Sequence, residues 1–429
     1  MRSQSESTER CHGRCKQVES HDDICQNKPL YDGIIKIVWQ DNGRKCYVGL
    51  LNWKVDLKGL TMQLLLLVTE YTVLGGYCTG ENYETTTPMD VHLLDTVSLR
   101  WRLILLEEPA NLTSIPYQRY GHTAVAYNEN AYIWGGRNDK DGACNILYGF
   151  NSNTHAWFRP DVCGSIPNAR DGHSACVINH KMYVFGGYEE ETDRFSNEIY
   201  ALDFSTFSWS LIVPSNGEPA RWRDFHTATG IGHLMYIFGG RSDHGGNIYT
   251  NNEIYCNKLQ IFDTLNRTWI EPETTGVLPI GRRSHSAFVY RGYLYIFGGY
   301  NGKFDYHFRD VLRFDPVHLH WSMVKVKGKG PCARRRQCCC VIGTKVFLFG
   351  GTSPSVKPAI PNQNNDSDLT DHSDLHVLDF APTLKTLCQI AVVDNKIKTD
   401  CLPHVLQWEI AAMTTNNTIS SARPSNTNG

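Results

Sequence analysis

Arginine is the residue type whose spacing in this chain points to chemistry. Eleven of the 42 Lys and Arg residues recur at two places in a repeated pattern. One place is a short segment before an apolar strand: Arg119-Tyr-Gly-His122, Arg170-Asp-Gly-His173, Arg221-Trp-Arg223-Asp-Phe-His226, Arg282-Arg283-Ser284-His285 and Arg334-Arg335-Arg336. The other follows a glycine pair, as at Arg137 and Arg241. A guanidinium is planar, always charged and matched to bidentate capture of a carboxylate or phosphate. Tyr77, Tyr188 and Tyr300 also follow glycine pairs, and Trp222 lies among the arginines. Aromatic walls beside a few converging cations suit a peptide end better than a large polyanion. Six acids share these segments: Asp139, Asp171, Glu189, Glu190, Asp224 and Asp243. One reading is an Arg/Asp lattice that binds nothing, but six anions cannot satisfy eleven cations. The acids would also favour a basic side chain next to a captured carboxylate. Neither a nucleophile–base pair nor a phosphate loop appears, so the chain reads as non-catalytic, with no cofactor and no metal expected.

These segments need a scaffold that gathers them. Six apolar strands run into glycine pairs at Gly75-Gly76, Gly135-Gly136, Gly186-Gly187, Gly239-Gly240, Gly298-Gly299 and Gly350-Gly351. A fixed period of this size marks a repeat architecture. Most units continue with an alternating strand holding an Asp (Asp203, Asp263, Asp315) and a strand holding a Trp (Trp101, Trp157, Trp209, Trp269, Trp321). Four short strands with turn signals between them make a propeller blade, so the expected class is an all-β, six-bladed β-propeller. Each Trp supplies a large area to bury between blades. The last unit lacks a Trp strand, and Asn52-Trp53-Lys-Val-Asp-Leu57 has one to spare. The expectation is that this N-terminal strand completes the last blade, which also removes an open sheet edge. The first two strands of a blade are antiparallel, so both arginine places fall on one rim of the central channel, where low-dielectric walls focus their field. The first unit departs from the pattern: Lys58–Val68 is apolar and carries no Arg/His segment.

The organisation that follows is a leader over 1–50, a propeller over 51–380, a helical module over 381–413 and a flexible tail over 414–429. Cys11, His12, Cys15, His21 and Cys25 match no zinc-finger spacing, and the leader reads as disordered. The formal charge is −2, which argues against a general nucleic-acid or membrane surface. The apolar run Leu64–Val68 is too short to span a bilayer. No secretory signal is read at the start. Fifteen cysteines without framework spacing imply reduced thiols, hence the cytoplasm or nucleus, with Cys338-Cys339-Cys340 as small core residues of a strand.

After the last strand, Leu384, Leu387, Cys388, Ala391 and Val392 fall on one face of a helix, with Pro382 suited to its first turn. Leu402, Leu406 and Ile410 mark a second short helix. A closed propeller has no need of this pair, so its apolar face asks for a partner.

The Arg/His segments, Gly-Gly strands, Asp strands and Trp strands together resemble the kelch repeat over about residues 53–380. Thr383-Leu384, Cys388 and Val392 resemble the elongin-binding box of cullin-ligase receptors, and Leu402-Pro403 with Leu406 resembles the adjoining box that selects cullin-2. The runs 134–145, 219–226 and 334–340 are similar to those of a kelch-repeat receptor of this kind. The resemblance implies the substrate receptor of a cullin-2 RING ubiquitin ligase, partnered by elongin B/C and cullin-2 with its RING subunit. It further implies recognition of substrate proteins whose C-termini end in glycine. By position in the blade, the degron-binding residues would be Arg241 first, with Arg223, Arg283, Ser284, Tyr188, Trp222, Arg170 and Arg119 around it. The chain's own Asn428-Gly429 end could occupy the same site in itself or in a neighbouring copy. Two other classes compete: a copper oxidase, for which no Tyr/His/Cys cluster is recognisable, and a kelch scaffold bound to chromatin or actin.

Overall fold

The computed structural model describes residues 50–54, 63–67, 70–76, 84, 86–105, 112–328, 330–355 and 369–414. The leader with its Cys and His residues, Tyr77 and the Asn428-Gly429 end lie outside them.

Short antiparallel strands dominate, as a sequence of 4- to 6-residue apolar runs broken by Gly, Asn and Asp dictates. Sheet I joins Gln63–Leu67, Glu70–Leu74, Val91–Asp95 and Arg100–Ile104. Sheets II to V repeat this order from Tyr120–Tyr127, Ser174–Ile178, Thr227–Ile231 and Ser286–Tyr290 outward. These five sheets take their main four strands consecutively from the chain. The remaining four-stranded sheet, VI, runs Cys338–Ile342, Lys345–Phe349, Asp374–Asp379 and then Leu50–Lys54, from the other end of the chain. Leu50 aligns antiparallel with Leu378 and Lys54 with Asp374. The innermost strands touch in a closed circuit, from Gln63–Leu67 through sheets II to VI and back. The architecture is a β-propeller.

The Trp strands do what their size predicts. Trp209 of sheet III lies 5.5 Å from Trp134 of sheet II, Trp269 lies 5.4 Å from Phe185 of the sheet before it, and Trp321 lies 5.6 Å from Phe238. Trp101 of sheet I meets Phe349 of sheet VI at 5.0 Å, across the junction where the circuit closes. Trp134, Trp209 and Trp321 are among the largest fully buried side chains. Cys338 is buried, and burial pushes its thiol well above the usual range and those of Cys339 and Cys340 up to about 12. These three act as core residues of an inner strand.

A second set of contacts lines the channel. Thr123 pairs with His173 of the next sheet, Ser174 with His226, and Thr227 with His285, through Oγ–Nε2 distances of 2.8, 2.5 and 2.9 Å. Sheet VI has Gln337 in the imidazole's place, and its Nε2 donates to Ser286 Oγ at 3.1 Å. Burial pushes His122 down to about 4 and His285 to about 3, and holds His173 and His226 well below the usual value. The ladder is therefore neutral at physiological pH.

Two helices follow. Helix α1 spans Leu384–Asp394 and helix α2 spans His404–Thr414. Thr383 is the N-cap, accepting a hydrogen bond from the Thr386 amide at 3.1 Å, so Pro382 precedes the first turn instead of forming it. The helices are tied by Lys385–Glu409 at 2.7 Å and by Gln389 donating to Glu409 at 2.5 Å. Ala412 and Met413 of α2 sink into the core cluster that holds Leu94, Trp101, Phe349 and Leu375. The hairpin is thus anchored by its second helix where sheets I and VI meet.

Candidate functional site

Five arginines of the recurring segments do not reach the rim. Arg119, Arg170, Arg223, Arg282 and Arg334 are at most 1% exposed. In each, Nη1 donates to the carbonyl of the first glycine of its own sheet's pair: Gly135, Gly186, Gly239, Gly298 and Gly350, at 2.8 to 3.3 Å. The backbone carbonyls of Arg119, Arg170, Arg223, Arg282 and Arg334 accept from the second glycine amide of the preceding sheet, as in Gly136 to Arg170 at 2.9 Å and Gly187 to Arg223 at 2.8 Å. This explains the glycine pair. At Gly135 (φ +71) an added Cβ would sit 2.3 Å from His173 and 2.9 Å from the Arg170 carbonyl. The degron-binding assignments of Arg119, Arg170 and Arg223 are corrected accordingly: these groups latch one sheet to the next. Arg170 is further paired with Glu189 at 2.6 Å, and Asp243 satisfies the backbone of its own hairpin, so neither acid belongs to an open rim.

The residue after each buried arginine lies opposite the residue that follows Gly-Gly; Tyr120, Arg283 and Arg335 are half-buried there, while Asp171 and Asp224 are buried. The facing pairs are Tyr120/Arg137, Asp171/Tyr188, Asp224/Arg241, Arg283/Tyr300 and Arg335/Thr352. One position further on, the backbone turns left-handed at Gly121, Gly172, Phe225, Ser284 and Arg336. These turns are joined head to tail: the Gly172 amide donates to the Gly121 carbonyl, Phe225 to Gly172, Ser284 to Phe225 and Arg336 to Ser284, at 2.7 to 2.9 Å. Three of the five are not glycine, an energetic cost of a kind that concentrates at ligand clamps.

The rim divides by charge. On one side Arg137 meets Glu190 at 3.1 Å. Arg241 donates to Asp224 through Nε at 3.1 Å and Nη2 at 2.5 Å, and to Glu253 at 3.2 Å. Burial opposes its charge, but the Asp224 and Glu253 carboxylates hold its proton far above the usual range. Arg241, the foremost clamp expected from sequence, is therefore neutralised by two fixed acids. Burial and the charge of Asp224 push Asp171 up to about 7. Tyr188 donates its hydroxyl to Asp193, and Trp222 its indole N–H to the Gly246 carbonyl; both rings remain half-buried.

The other side is cationic. Arg335 lies 4.4 Å and Arg283 5.5 Å from the centre of the Tyr300 ring, whose hydroxyl donates to Asp305 at 3.0 Å. Among the described residues no carboxylate lies within ion-pair distance of Arg283; its guanidinium is hydrogen-bonded to Tyr255 and its charge acts on Asp224 from further away, while its buried Nε has no hydrogen-bond partner. Ser284 is adjacent and half-buried. His307, 4.6 Å from Tyr300, is 8% exposed with neither ring nitrogen partnered. Burial, then the charge of Arg335, pushes it down to about 4, so it presents a neutral N–H beside the guanidinium groups. The sequence pattern does not single out His307. Its only signal is a histidine in the hairpin after Tyr300, where the sheet III hairpin offers Phe195. This sector can accept a small anion with a planar or bidentate face, and its opposite side can accept a cation.

A family model described as the KLHDC2/KLHL20/DRC7 Kelch-repeats domain matches residues 121–351. The chain belongs to the kelch-repeat family. It is 52% identical over 378 residues to Kelch domain-containing protein 3 of Homo sapiens and of Bos taurus, covering 86% of this chain and 98% of each relative. It is 32% identical to human Host cell factor 2 over 253 residues, 56% of this chain and 31% of that protein. Kelch propellers are interaction modules, and among the described residues no group of three or more His, Cys, Asp or Glu could hold a metal. Outside the kelch repeats, α1 turns Leu384 (77% exposed) and Cys388 to the surface, with Val392 half-buried. Pro403 is exposed, Leu402 and Leu406 are half-buried, and Val405 and Trp408 of α2 are exposed.

Proposed function

We propose that this kelch protein is the substrate-recognition subunit of a cullin-2 RING ubiquitin ligase and that it grips free C-termini ending in glycine. The observation that carries the reading is Arg283: a rim guanidinium without a carboxylate partner among the described residues, beside the unpartnered His307 and the left-handed Ser284. A terminal carboxylate is the anion every polypeptide end carries, and a bidentate guanidinium fits it. A glycine end is narrow enough to approach the ring of backbone turns. The acid-rich side, with Asp171 and Glu190, faces a basic side chain just upstream of the carboxylate. Leu384, Cys388 and Val392 supply the contact to elongin, and Leu402, Pro403 and Leu406 the contact to cullin-2. The exposure of Leu384 and Cys388 supports this, because a helix that served only the propeller would bury them.

The test is a binding titration with a peptide ending in free glycine against its amidated twin and a Gly→Ala twin. Both altered peptides are expected to bind at least about tenfold more weakly, about 1.4 kcal/mol. Equal binding of the amide rejects the clamp. Independently, Leu384→Asp should abolish co-purification with elongin and leave peptide binding intact. A wild-type protein that never co-purifies with elongin would be a scaffold instead.

A further inference from the structure

The latch of sheet VI differs from the others in a way that exposes a thiol. In sheets II to V the buried arginine's Nε donates to the carbonyl two residues earlier: Tyr117, Asn168, Arg221 and Ile280, at 2.9 to 3.1 Å. In sheet VI the residue two earlier is Cys332, and Arg334 Nε is buried without a partner. Arg334 Nη2 instead donates to the Cys332 Sγ at 3.2 Å. The other neighbour of that sulfur is His372, whose Nε2 lies 3.4 Å from Sγ and 2.7 Å from Ser353 Oγ. Cys332 is exposed. Asp374 takes the remaining face of Arg334, at 2.5 and 2.8 Å, and is itself bonded to His376 at 2.9 Å. The thiol thus faces a guanidinium and an imidazole, and it shares Arg334 Nη2 with the Asp374 carboxylate.

We propose that Cys332, held between His372 and Arg334, is a nucleophilic thiol and a site of reversible mixed-disulfide formation with small disulfides such as oxidised glutathione. The Cys332 thiolate attacks one sulfur of the small disulfide. A Cys332–sulfur bond forms, the original S–S bond breaks, and the departing thiolate takes up the proton that Cys332 released. No further oxidant is consumed. Burial opposes ionisation here, but the hydrogen bond with His372 and the charge of Arg334 outweigh it and bring the thiol down to about 7. Reactive cysteines occupy such electropositive, accessible surroundings.

The experiment is timed alkylation of the full chain with iodoacetamide between pH 5.5 and 9.5, read by peptide mapping. Cys163, Cys388 and Cys401, also exposed, are internal references. At pH 7 Cys332 should react about fivefold faster than these, the gain in thiolate fraction being partly offset by lower intrinsic nucleophilicity. Its rate should rise with a midpoint near 7, and His372→Asn should move that midpoint about one pH unit higher. Oxidised glutathione should leave its adduct on the Cys332 peptide first, released by a reducing agent. A Cys332 no faster than Cys163, or a midpoint that His372→Asn leaves in place, overturns the proposal.

Discussion

Arg282 and Arg283 are neighbours in sequence and opposites in role. Arg282 is buried, donating to the Gly298 carbonyl and to Asp310; Arg283 stands at the rim over Tyr300 with no carboxylate partner among the described residues. Adjacent residues of an extended segment point to opposite sides, and here one side is the inter-sheet seam and the other the channel mouth. The same division separates a buried layer (the arginine latches and the His ladder) from a rim that mixes neutralised and available charge. Residue type therefore says little about role at these positions. What decides it is whether the side chain finds a carbonyl beneath it or a channel in front of it.

Acid should break the comparison most strongly. The ladder histidines are held neutral when folded, while in the unfolded chain they bind protons below about pH 6.5. The unfolded state then holds more protons, so stability is intact above about 6.5 and falls as pH drops toward 4 and 3. Each tenfold difference in proton affinity between the folded and unfolded chain is worth about 1.4 kcal/mol, so the expected loss is on the order of several kcal/mol by pH 4. Chemical denaturation at pH 7.5, 5.5 and 4.5 measures it; a flat profile contradicts the buried, neutral ladder.

Substitution sharpens it next. Arg223→Met removes two charge-assisted bonds to backbone carbonyls, one of them buried, and should cost about 3 kcal/mol of stability, seen as a large drop in Tm. Arg283→Ala should leave Tm within a degree or two and weaken a Gly-ended peptide about 10- to 100-fold, about 1.4 to 2.8 kcal/mol. If the two variants exchange these phenotypes, the division into latch and clamp is wrong. The smallest effect belongs to His307→Gln, which keeps an N–H donor and lacks the ring. We expect a loss of about threefold in peptide affinity, near 0.6 kcal/mol, and no change for a peptide whose end is amidated.

Much of the scaffold could be read from the chain because its signals repeat. The Gly-Gly strands and the Trp positions report packing needs that recur sheet after sheet, and the spare N-terminal strand answers the one sheet that lacks its own outermost strand. The site was legible only in outline. Sequence placed Arg241 ahead of Arg283, yet Arg241 lies against Asp224 and Glu253, partners from its facing segment and from a strand twelve residues away. Sequence also could not separate Arg223 from Arg241, because the carbonyl that claims Arg223 belongs to backbone and leaves no side-chain trace. His307 escaped because a single histidine has no spacing to betray it. The helices were visible through their apolar period, but Pro382 suggested a start that the Thr383 cap sets two residues later, at Leu384.

The strand Asp374–Asp379 lies between Lys345–Phe349 and Leu50–Lys54, and only four residues separate it from α1. Tension applied to the helical pair therefore reaches this strand along its length and loads two hydrogen-bonded ladders in shear, all rungs sharing the force together. A hairpin hung from an outermost strand would load only one such ladder. The wheel's own fastening is thus also its mechanical mount, and a tug on the handle must shear that fastening before it can open the wheel.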